Sequence, residues 1–207
     1  MKRLAFTTAI LWLAVLQGIA QQVTTALTAW PEFRPATVYL TDGKKLDIPL
    51  ANIFLKNSSL LYVSGQDTKE ANTKTLQRVE FKDRTYYRID TLLAYPVDSV
   101  GDNVLFCAKV LDLKAYKQLI SNSSTITTID VATTISYAKV DVYDDIRFPV
   151  VPIYYFKIGE QFFLVHERHL KRTLSKENRR MMNSAMNLPG VSWTDEKSLI
   201  KLLGMLK

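Results

Sequence analysis

The sequence predicts a mainly β protein of the α+β class: a small β-barrel or sandwich, further strands, and a C-terminal hairpin followed by helices. Short runs of alternating apolar and polar residues, separated by turn residues, extend over 37–89, a pattern typical of barrels and sandwiches. From His166 onward the apolar residues recur at three- and four-residue steps, which is the period of a helix. The predicted organisation is a leader at 1–20, a β-barrel or sandwich at 21–92, a middle β region at 93–150, and a hairpin plus helices at 151–207.

The leader has the layout of a cleaved secretory signal. A short basic start precedes an apolar run at 4–16, and Gly18 and Ala20 put small residues where a signal peptidase cuts. The alternative is an uncleaved membrane anchor, but a spanning helix needs about 20 consecutive apolar residues, and Gln17 ends the run. We therefore expect cleavage near Ala20, export to the periplasm or cell surface, and no transmembrane span in the mature chain.

Charge and cysteine content limit the function classes. The 27 Lys and Arg residues exceed the 20 Asp and Glu residues, for a formal net charge of +7, which without a focused patch does not indicate nucleic-acid binding. Cys107 is the single cysteine, so no intramolecular disulfide can form and the core must hold the fold. It lies in an apolar run at 104–110, which predicts a buried, inert thiol.

Turn residues define hairpins in the first region. Asp42 and Gly43 separate two alternating runs, and glycine accepts the positive φ that a tight turn needs. Pro49 has no N–H group to donate, so its strand should lie at an edge or bulge there. The remaining polar connections between predicted strands are at 56–59, 65–74 and 82–84.

The middle region is harder to assign, and the last region is clearer. We predict a strand at 104–111, either a short helix or a strand at 113–120, and two strands within 125–143. An aromatic hairpin is expected around Gly159. Thr194 is predicted to cap a final helix of about twelve residues whose first turn holds two acids.

Three segments carry a resemblance to other proteins; they lie at 33–43, 51–62 and 192–200. They resemble exported proteins of Gram-negative gut bacteria for which no activity is known. The resemblance implies export, and it transfers no functional residues. In some of these bacteria O-glycans are attached at Asp-Ser/Thr-apolar sites, and Thr91 and Ser99 stand in such triplets.

Catalytic and metal motifs are weak. A zinc-protease motif needs two histidines four residues apart, whereas His166 and His169 are three apart. Adjacent carboxylates usually mark turns or helix starts, and here they occur at Asp144-Asp145 and Asp195-Glu196. The sequence contains no nucleophile elbow, phosphate loop or Cys-x-x-Cys pair. We therefore predict a non-enzymatic protein that needs no metal or organic cofactor.

The most distinctive local feature is a set of cations spaced by four, which on one continuous helix would form a single stripe. This basic stripe consists of Arg168, Arg172, Lys176 and Arg180. It predicts a face for an anionic partner such as an envelope protein, a glycan or a lipid headgroup. The alternative is a solvated helix face, and Ser175 would divide the stripe if it capped a second helix.

Aromatic residues of the last hairpin also allow two interpretations, a flat partner surface or ordinary hairpin core; they are Tyr154, Tyr155, Phe162 and Phe163. The favoured function is an exported binding or envelope-assembly module of unknown ligand. The alternatives are a small secreted hydrolase with a site built from distant residues and a structural subunit of an envelope complex. A cleft in which His166, His169 or acidic side chains converge would favour the hydrolase.

Overall fold

The computed structural model describes residues 23–24, 27–122, 148–188 and 190–206. The predicted leader, the strands expected within 125–143 and the Asp144-Asp145 pair lie outside the described residues.

Within the described residues, eleven strands form one antiparallel sheet that curls into a half-barrel. In chain order the strands are β1 (Val23–Thr24), β2 (Arg34–Leu40), β3 (Lys45–Phe54), β4 (Ser59–Ser64), β5 (Asp67–Glu70), β6 (Leu76–Phe81), β7 (Thr85–Ile89), β8 (Leu92–Val100), β9 (Asn103–Leu111), β10 (Phe148–Ile158) and β11 (Gln161–Leu164). Their order across the sheet is β1-β10-β9-β8-β7-β6-β2-β3-β4-β5, and β11 pairs with β10. The predicted mainly β fold class is confirmed.

Four α-helices are described, α1 (Leu113–Asn122), α2 (Glu167–Thr173), α3 (Lys176–Met186) and α4 (Glu196–Leu203), together with a 3-10 helix at Thr73–Thr75. The segment after β9, for which the sequence allowed either a helix or a strand, is a helix. Asp112 fixes its start, because its carboxylate accepts hydrogen bonds from the backbone N–H groups of Lys114 and Ala115, both at 3.0 Å. In the described part of the chain, no helix has both the length and the apolar character that crossing a bilayer requires.

The curl of the sheet comes from contacts between its two halves. Backbone hydrogen bonds join Leu93 N–H to the carbonyl of Ser58 at 2.8 Å and Leu111 N–H to the carbonyl of Leu55 at 2.6 Å. The β3–β4 turn therefore rests on β8 and on the end of β9. Strands that are distant in the sheet order are thus brought around one concave face.

The concave face and the helix-covered face carry separate apolar clusters. The cluster inside the curl includes Val38, Ile53, Leu60, Val79, Phe81, Tyr86 and Leu93. The cluster between the C-terminal helices and strands β9 and β10 includes Leu105, Cys107, Phe156, Leu170, Met182, Leu199 and Leu203. Tyr95 packs against both clusters and thereby connects them.

The predictions at Gly43 and Pro49 are confirmed. Gly43 has φ +85°, and its N–H donates to the carbonyl of Leu40 at 3.1 Å, closing the β2–β3 hairpin. The register between β2 and β3 shifts between Arg34 and Ala36, which face Ala51 and Ile48, so β3 bulges around Pro49. The proline ring is accommodated where the ladder is already interrupted.

Several predictions need correction. Residues 65–74 are not only a loop, because β5 lies within them and pairs with β4. The final helix is shorter than expected and its N-cap is Asp195 rather than Thr194, since the Asp195 carboxylate accepts from the N–H of Ser198 at 2.8 Å. The regions predicted at 21–92, 93–150 and 151–207 all contribute strands to one sheet, and their status as separate units stays a prediction.

Candidate functional site

An inner cavity of about 260 Å³ lies on the concave side of the sheet. Its walls come from the segment before β2, the end of β3, the β3–β4 turn, and strands β7 to β10. The apolar lining consists of Ala29, Ile53, Leu55 and Val150, and the polar lining of Thr28, Ser58, Arg84, Tyr86, Tyr95 and Lys109. None of these lining residues is an acid.

The two tyrosines form the aromatic wall of the inner cavity. Tyr86 and Tyr95 lie on the neighbouring strands β7 and β8, and their rings meet edge to face with centroids 5.6 Å apart. Trp30 and Phe81 continue this aromatic cluster behind Tyr86, with ring centroids 4.6 Å apart. Edge-to-face contacts of this kind stabilise aromatic clusters beyond the area they bury, so this wall is a rigid surface.

Arg84 is held at the mouth of the inner cavity. Its guanidinium carbon lies 4.3 Å from the centroid of the Tyr95 ring, and it interacts electrostatically with the Tyr86 hydroxyl. Burial raises the pKa of both Tyr86 and Tyr95, so both phenols stay neutral at physiological pH. The guanidinium therefore lies against the neutral ring of Tyr95.

Asp83, whose charge also acts on Arg84, forms an ion pair with another cation. Asp83, the preceding residue, pairs with Arg34 at 3.1 Å, and that ion pair is exposed. Arg34 also stacks over the ring of Trp30, with its guanidinium carbon 4.9 Å from the ring centroid. Among the described residues that line the inner cavity, Arg84 and Lys109 carry a charge.

Cys107 lies beside the inner cavity and is fully buried, as the sequence predicts. Burial raises the pKa of its thiol to about 11. At neutral pH the group is therefore a protonated thiol, which is a poor nucleophile.

Asn52 positions the segment that closes one side of the inner cavity. Its side chain is fully buried, and its amide donates to the carbonyls of Trp30 at 2.8 Å and Glu32 at 3.1 Å. Next to it, Ala29 N–H donates to the carbonyl of Ile53 at 2.9 Å. The chain before β2 is thereby fastened across the end of β3.

The basic stripe is divided into two pairs, because α2 ends at Thr173 and Ser175 caps α3. The Ser175 hydroxyl accepts from the N–H of Asn178 at 3.2 Å. All four cations of the stripe are exposed, while Leu170 and Leu174 are buried on the opposite side.

A second cleft, of about 670 Å³, lies between the β10–β11 hairpin, the start of α2 and the chain before α4. His166 and Glu167 line it together with Tyr154 and Trp193, whereas His169 does not. Tyr154 donates its hydroxyl to a carboxylate oxygen of Glu196 at 3.1 Å. Within the described residues no three His, Cys, Asp or Glu side chains are grouped as metal ligands.

The hairpin aromatics do not form one flat patch. Tyr154 packs under the helices, and Tyr155 belongs to a separate apolar cluster with Ile89 and Phe106. Both tyrosines are buried, whereas Phe162 is exposed.

The two triplets proposed for glycan attachment are accessible. Thr91 lies in the β7–β8 turn and Ser99 near the end of β8, and both residues are exposed. Modification at either residue stays a prediction.

Comparison with protein-family models, curated proteins and solved structures finds no match to this chain. Function is therefore inferred from the site itself. Three residues at or beside the site, Arg84, Lys109 and Asn52, were not predicted from the sequence. The one local signal is for Asn52, a polar residue within the apolar run Ala51–Leu55.

Proposed function

We propose that the protein is an exported, non-enzymatic binding module whose ligand site is the inner cavity. The observation that supports this is a concave site in which six polar side chains converge beside four apolar ones; concave sites with convergent polar groups are typical small-molecule sites. Its volume of about 260 Å³ is near the lower end of such sites, about 300 Å³. The ligand is therefore a small molecule rather than a polymer chain.

The hydroxyl groups at the inner cavity favour binding over catalysis. The Ser58 hydroxyl donates to the carbonyl of Leu93 at 2.7 Å, and the Thr28 hydroxyl donates to the carbonyl of Trp30 at 2.8 Å. Activation of a nucleophile requires an adjacent base, and the described residues that line this cavity include no histidine or carboxylate.

A cavity-filling variant tests the site. Ala29→Leu adds a branched side chain at the wall, and Ala115→Leu, on α1 and away from the cavity, is the matched control. In a fragment screen by ligand-observed NMR, we expect fragments that bind the wild type and Ala115→Leu but not Ala29→Leu. A fragment set that binds Ala29→Leu equally well would exclude the inner cavity as the ligand site, provided that Ala29→Leu still melts cooperatively.

Export has its own test. N-terminal sequencing of protein taken from the cell envelope is expected to start near Gln21, because the small residues at Gly18 and Ala20 suit a signal peptidase. An intact Met1 on membrane-bound protein would contradict cleavage.

A second candidate function is docking to an anionic envelope component through the basic stripe. The observation that favours it is the exposure of all four cations on adjoining helices whose apolar sides are buried. The partner would be an acidic envelope protein, a glycan or a lipid headgroup.

A further inference from the structure

We propose that the second cleft binds a neutral saccharide, with an apolar face of a sugar ring against Trp193 and its hydroxyl groups against the polar side chains at the start of α2. This site goes beyond the inner cavity of the proposed function, with which it shares no lining residue. Its volume of about 670 Å³ lies within the range of small-molecule sites, about 300–1,000 Å³.

The lining of the second cleft has an apolar side and a polar side. The apolar side consists of Pro152, Ile153, Tyr154, Leu164, Val165 and Trp193. The polar side consists of His166, Glu167, Arg168 and Thr194. A pyranose has the same division, because its C–H groups form apolar faces and its hydroxyl groups lie around the ring edge. The C–H hydrogens carry a small positive charge, which the negative face of an aromatic ring attracts.

Trp193 is the aromatic anchor of the second cleft, and its position is fixed. It is half-buried and packs against the apolar cluster between the C-terminal helices and strands β9 and β10. Hydrogen bonds on both sides of it shape the chain: the hydroxyls of Ser192 and Thr194 are 3.0 Å apart, and the N–H of Thr194 donates to the Ser192 hydroxyl at 3.3 Å. An anchor that is fixed before the ligand arrives loses little entropy on binding.

The charges at the second cleft balance, which favours a neutral ligand. Among the described residues that line it, Glu167 and Arg168 carry a formal charge. Glu167 forms an ion pair with Lys171, and the hydrogen bond from Lys171 lowers the pKa of Glu167, so its carboxylate is ionised at neutral pH. Beside the cleft, Glu196 accepts a hydrogen bond from the Tyr154 hydroxyl at 3.1 Å. Two carboxylates therefore lie near two cations, and neither sign of ligand charge is favoured.

The polar side of the second cleft offers both donors and acceptors. His166 precedes α2, and its side chain makes no capping hydrogen bond to that helix. A neutral imidazole donates from one nitrogen and accepts at the other, whereas the Arg168 guanidinium only donates and the Glu167 carboxylate only accepts. Each sugar hydroxyl can donate and accept, so this mixture of groups suits a polyhydroxyl ligand better than a carboxylate or an amine.

Neutral disaccharides test the site with the mature protein. The probes are maltose, cellobiose and lactose, and the comparison compound is cyclohexylmethanol, which has a similar ring without the ring hydroxyls. In titrations followed by ligand-observed NMR, we expect at least one disaccharide to bind the wild type with a Kd in the millimolar range or below. Cyclohexylmethanol should bind more weakly, because it lacks most of the hydrogen-bonding groups.

Variants assign the binding to the second cleft. His166→Ala should weaken disaccharide binding about fivefold, the effect of one lost hydrogen bond. His169→Ala removes the neighbouring histidine, which does not line the cleft, and should behave as the wild type. Trp193→Ala should weaken binding by about tenfold or more, as truncation of an aromatic anchor commonly does. Phe162→Ala, at an exposed aromatic outside the cleft, is its control.

The His166 pair keeps the test decisive if Trp193→Ala does not melt cooperatively, because the His166 side chain is exposed. Undiminished disaccharide binding in His166→Ala would overturn the assignment to this cleft. Cyclohexylmethanol that binds as tightly as the disaccharides would overturn the saccharide class. If none of the three disaccharides binds the wild type at millimolar concentration, the inference is wrong.

A matched charged pair tests neutrality. Methyl glucoside and methyl glucuronoside share a ring and differ by a carboxylate. We expect the acid to bind no more tightly than the neutral sugar, and salt to have little effect on either. Tighter binding of the acid that is lost at high salt would overturn the neutral class, since screening by salt identifies an ionic contact.

Discussion

Asn52 is a fully buried amide in a strand whose neighbours Ala51 and Ile53 are apolar core residues. It holds the chain before β2 by donating to two backbone carbonyls and by accepting from the N–H of Trp30 at 3.3 Å. Buried polar groups that lose their partner cost about 1–3 kcal/mol each. One side chain therefore links the first residues of the fold to the wall of the inner cavity.

Removal of this amide gives the first stability prediction. Asn52→Ala should lower the free energy of unfolding by about 2 kcal/mol or more, because the carbonyls of Trp30 and Glu32 would be left without their donor. Asn183→Ala, at an exposed position of α3, should change it by no more than about 0.5 kcal/mol. Urea denaturation measures both, and equal effects would mean that Asn52 does not anchor this segment.

Gly43 gives a prediction about backbone strain rather than contacts. An added Cβ would meet no atom within 4 Å, but φ is +85°, a conformation that β-branched residues adopt only with strain. Gly43→Val should lower the free energy of unfolding by about 1 kcal/mol or more. Gly43→Asn should cost less, since asparagine tolerates this region. An unchanged urea midpoint for Gly43→Val would show that the turn relaxes elsewhere.

At the scale of elements, the sequence predicts those turns and bulges that depend on the chemistry of single residues. The hairpin at Asp42-Gly43 and the bulge at Pro49 follow from φ preferences and a missing N–H, which single residues carry. Strand β5 consists of Asp-Thr-Lys-Glu and has no apolar pattern; it exists because it pairs with β4. Strand β8 contains Pro96 beside a register shift, so its extended form also depends on neighbouring strands.

The N-cap of α4 was misplaced by one residue, and the reason is chemical. Both Thr194 and Asp195 are good capping residues, and sequence spacing does not separate them. The carboxylate of Asp195 accepts from both the N–H and the hydroxyl of Ser198, at 2.8 and 2.7 Å. These bonds to Ser198 hold the pKa of Asp195 below its ordinary value.

This cap predicts a pH dependence of stability. Because the pKa of Asp195 is lower in the folded than in the unfolded chain, its contribution is present above about pH 4 and is lost as the pH falls through the folded value. At pH 7, Asp195→Ala should lower the free energy of unfolding by about 1 kcal/mol, and by less at pH 2.5. Asp195→Asn keeps an acceptor and should lack the acid-dependent loss.

Chemical denaturation at the two pH values measures the effect. Lys201→Ala changes an exposed residue of the same helix and serves as the control. An Asp195→Ala penalty that is equal at pH 7 and pH 2.5 would contradict a cap that depends on the ionised carboxylate.

At the scale of the whole molecule, the candidate site could not be predicted because its residues meet only through the curl of the sheet. Arg84, Tyr95 and Lys109 stand apart in sequence and on different segments, and no local spacing relates them. The cavity exists because the β3–β4 turn rests on β8 and the end of β9. The residues of the basic stripe, in contrast, could be recognised from their spacing in the sequence. Its division at Ser175 depends on the capping hydrogen bond of that residue.

The division of the basic stripe alters what it can bind but not its accessibility. Two of its cations lie on α2 and two on α3, all of them exposed. Arg172 donates from Nε to the backbone carbonyl of Arg168 at 3.3 Å, which holds the Arg172 side chain along α2. Cations on two helices can contact a broad anionic surface. Cations in one line on a single helix would instead have matched an extended acidic segment.

The double variant Arg168→Glu with Arg180→Glu tests this surface, one cation from each helix. Because both side chains are exposed, the free energy of unfolding should change by no more than about 0.5 kcal/mol. Binding to vesicles that contain phosphatidylglycerol should fall strongly, and salt should weaken the wild type similarly, since exposed charges are screened within about 10 Å at 0.1 M. Lys114→Glu with Lys117→Glu makes the same charge change on α1 and should leave binding largely intact. A wild type without salt-sensitive vesicle binding would reduce the stripe to a solvated face.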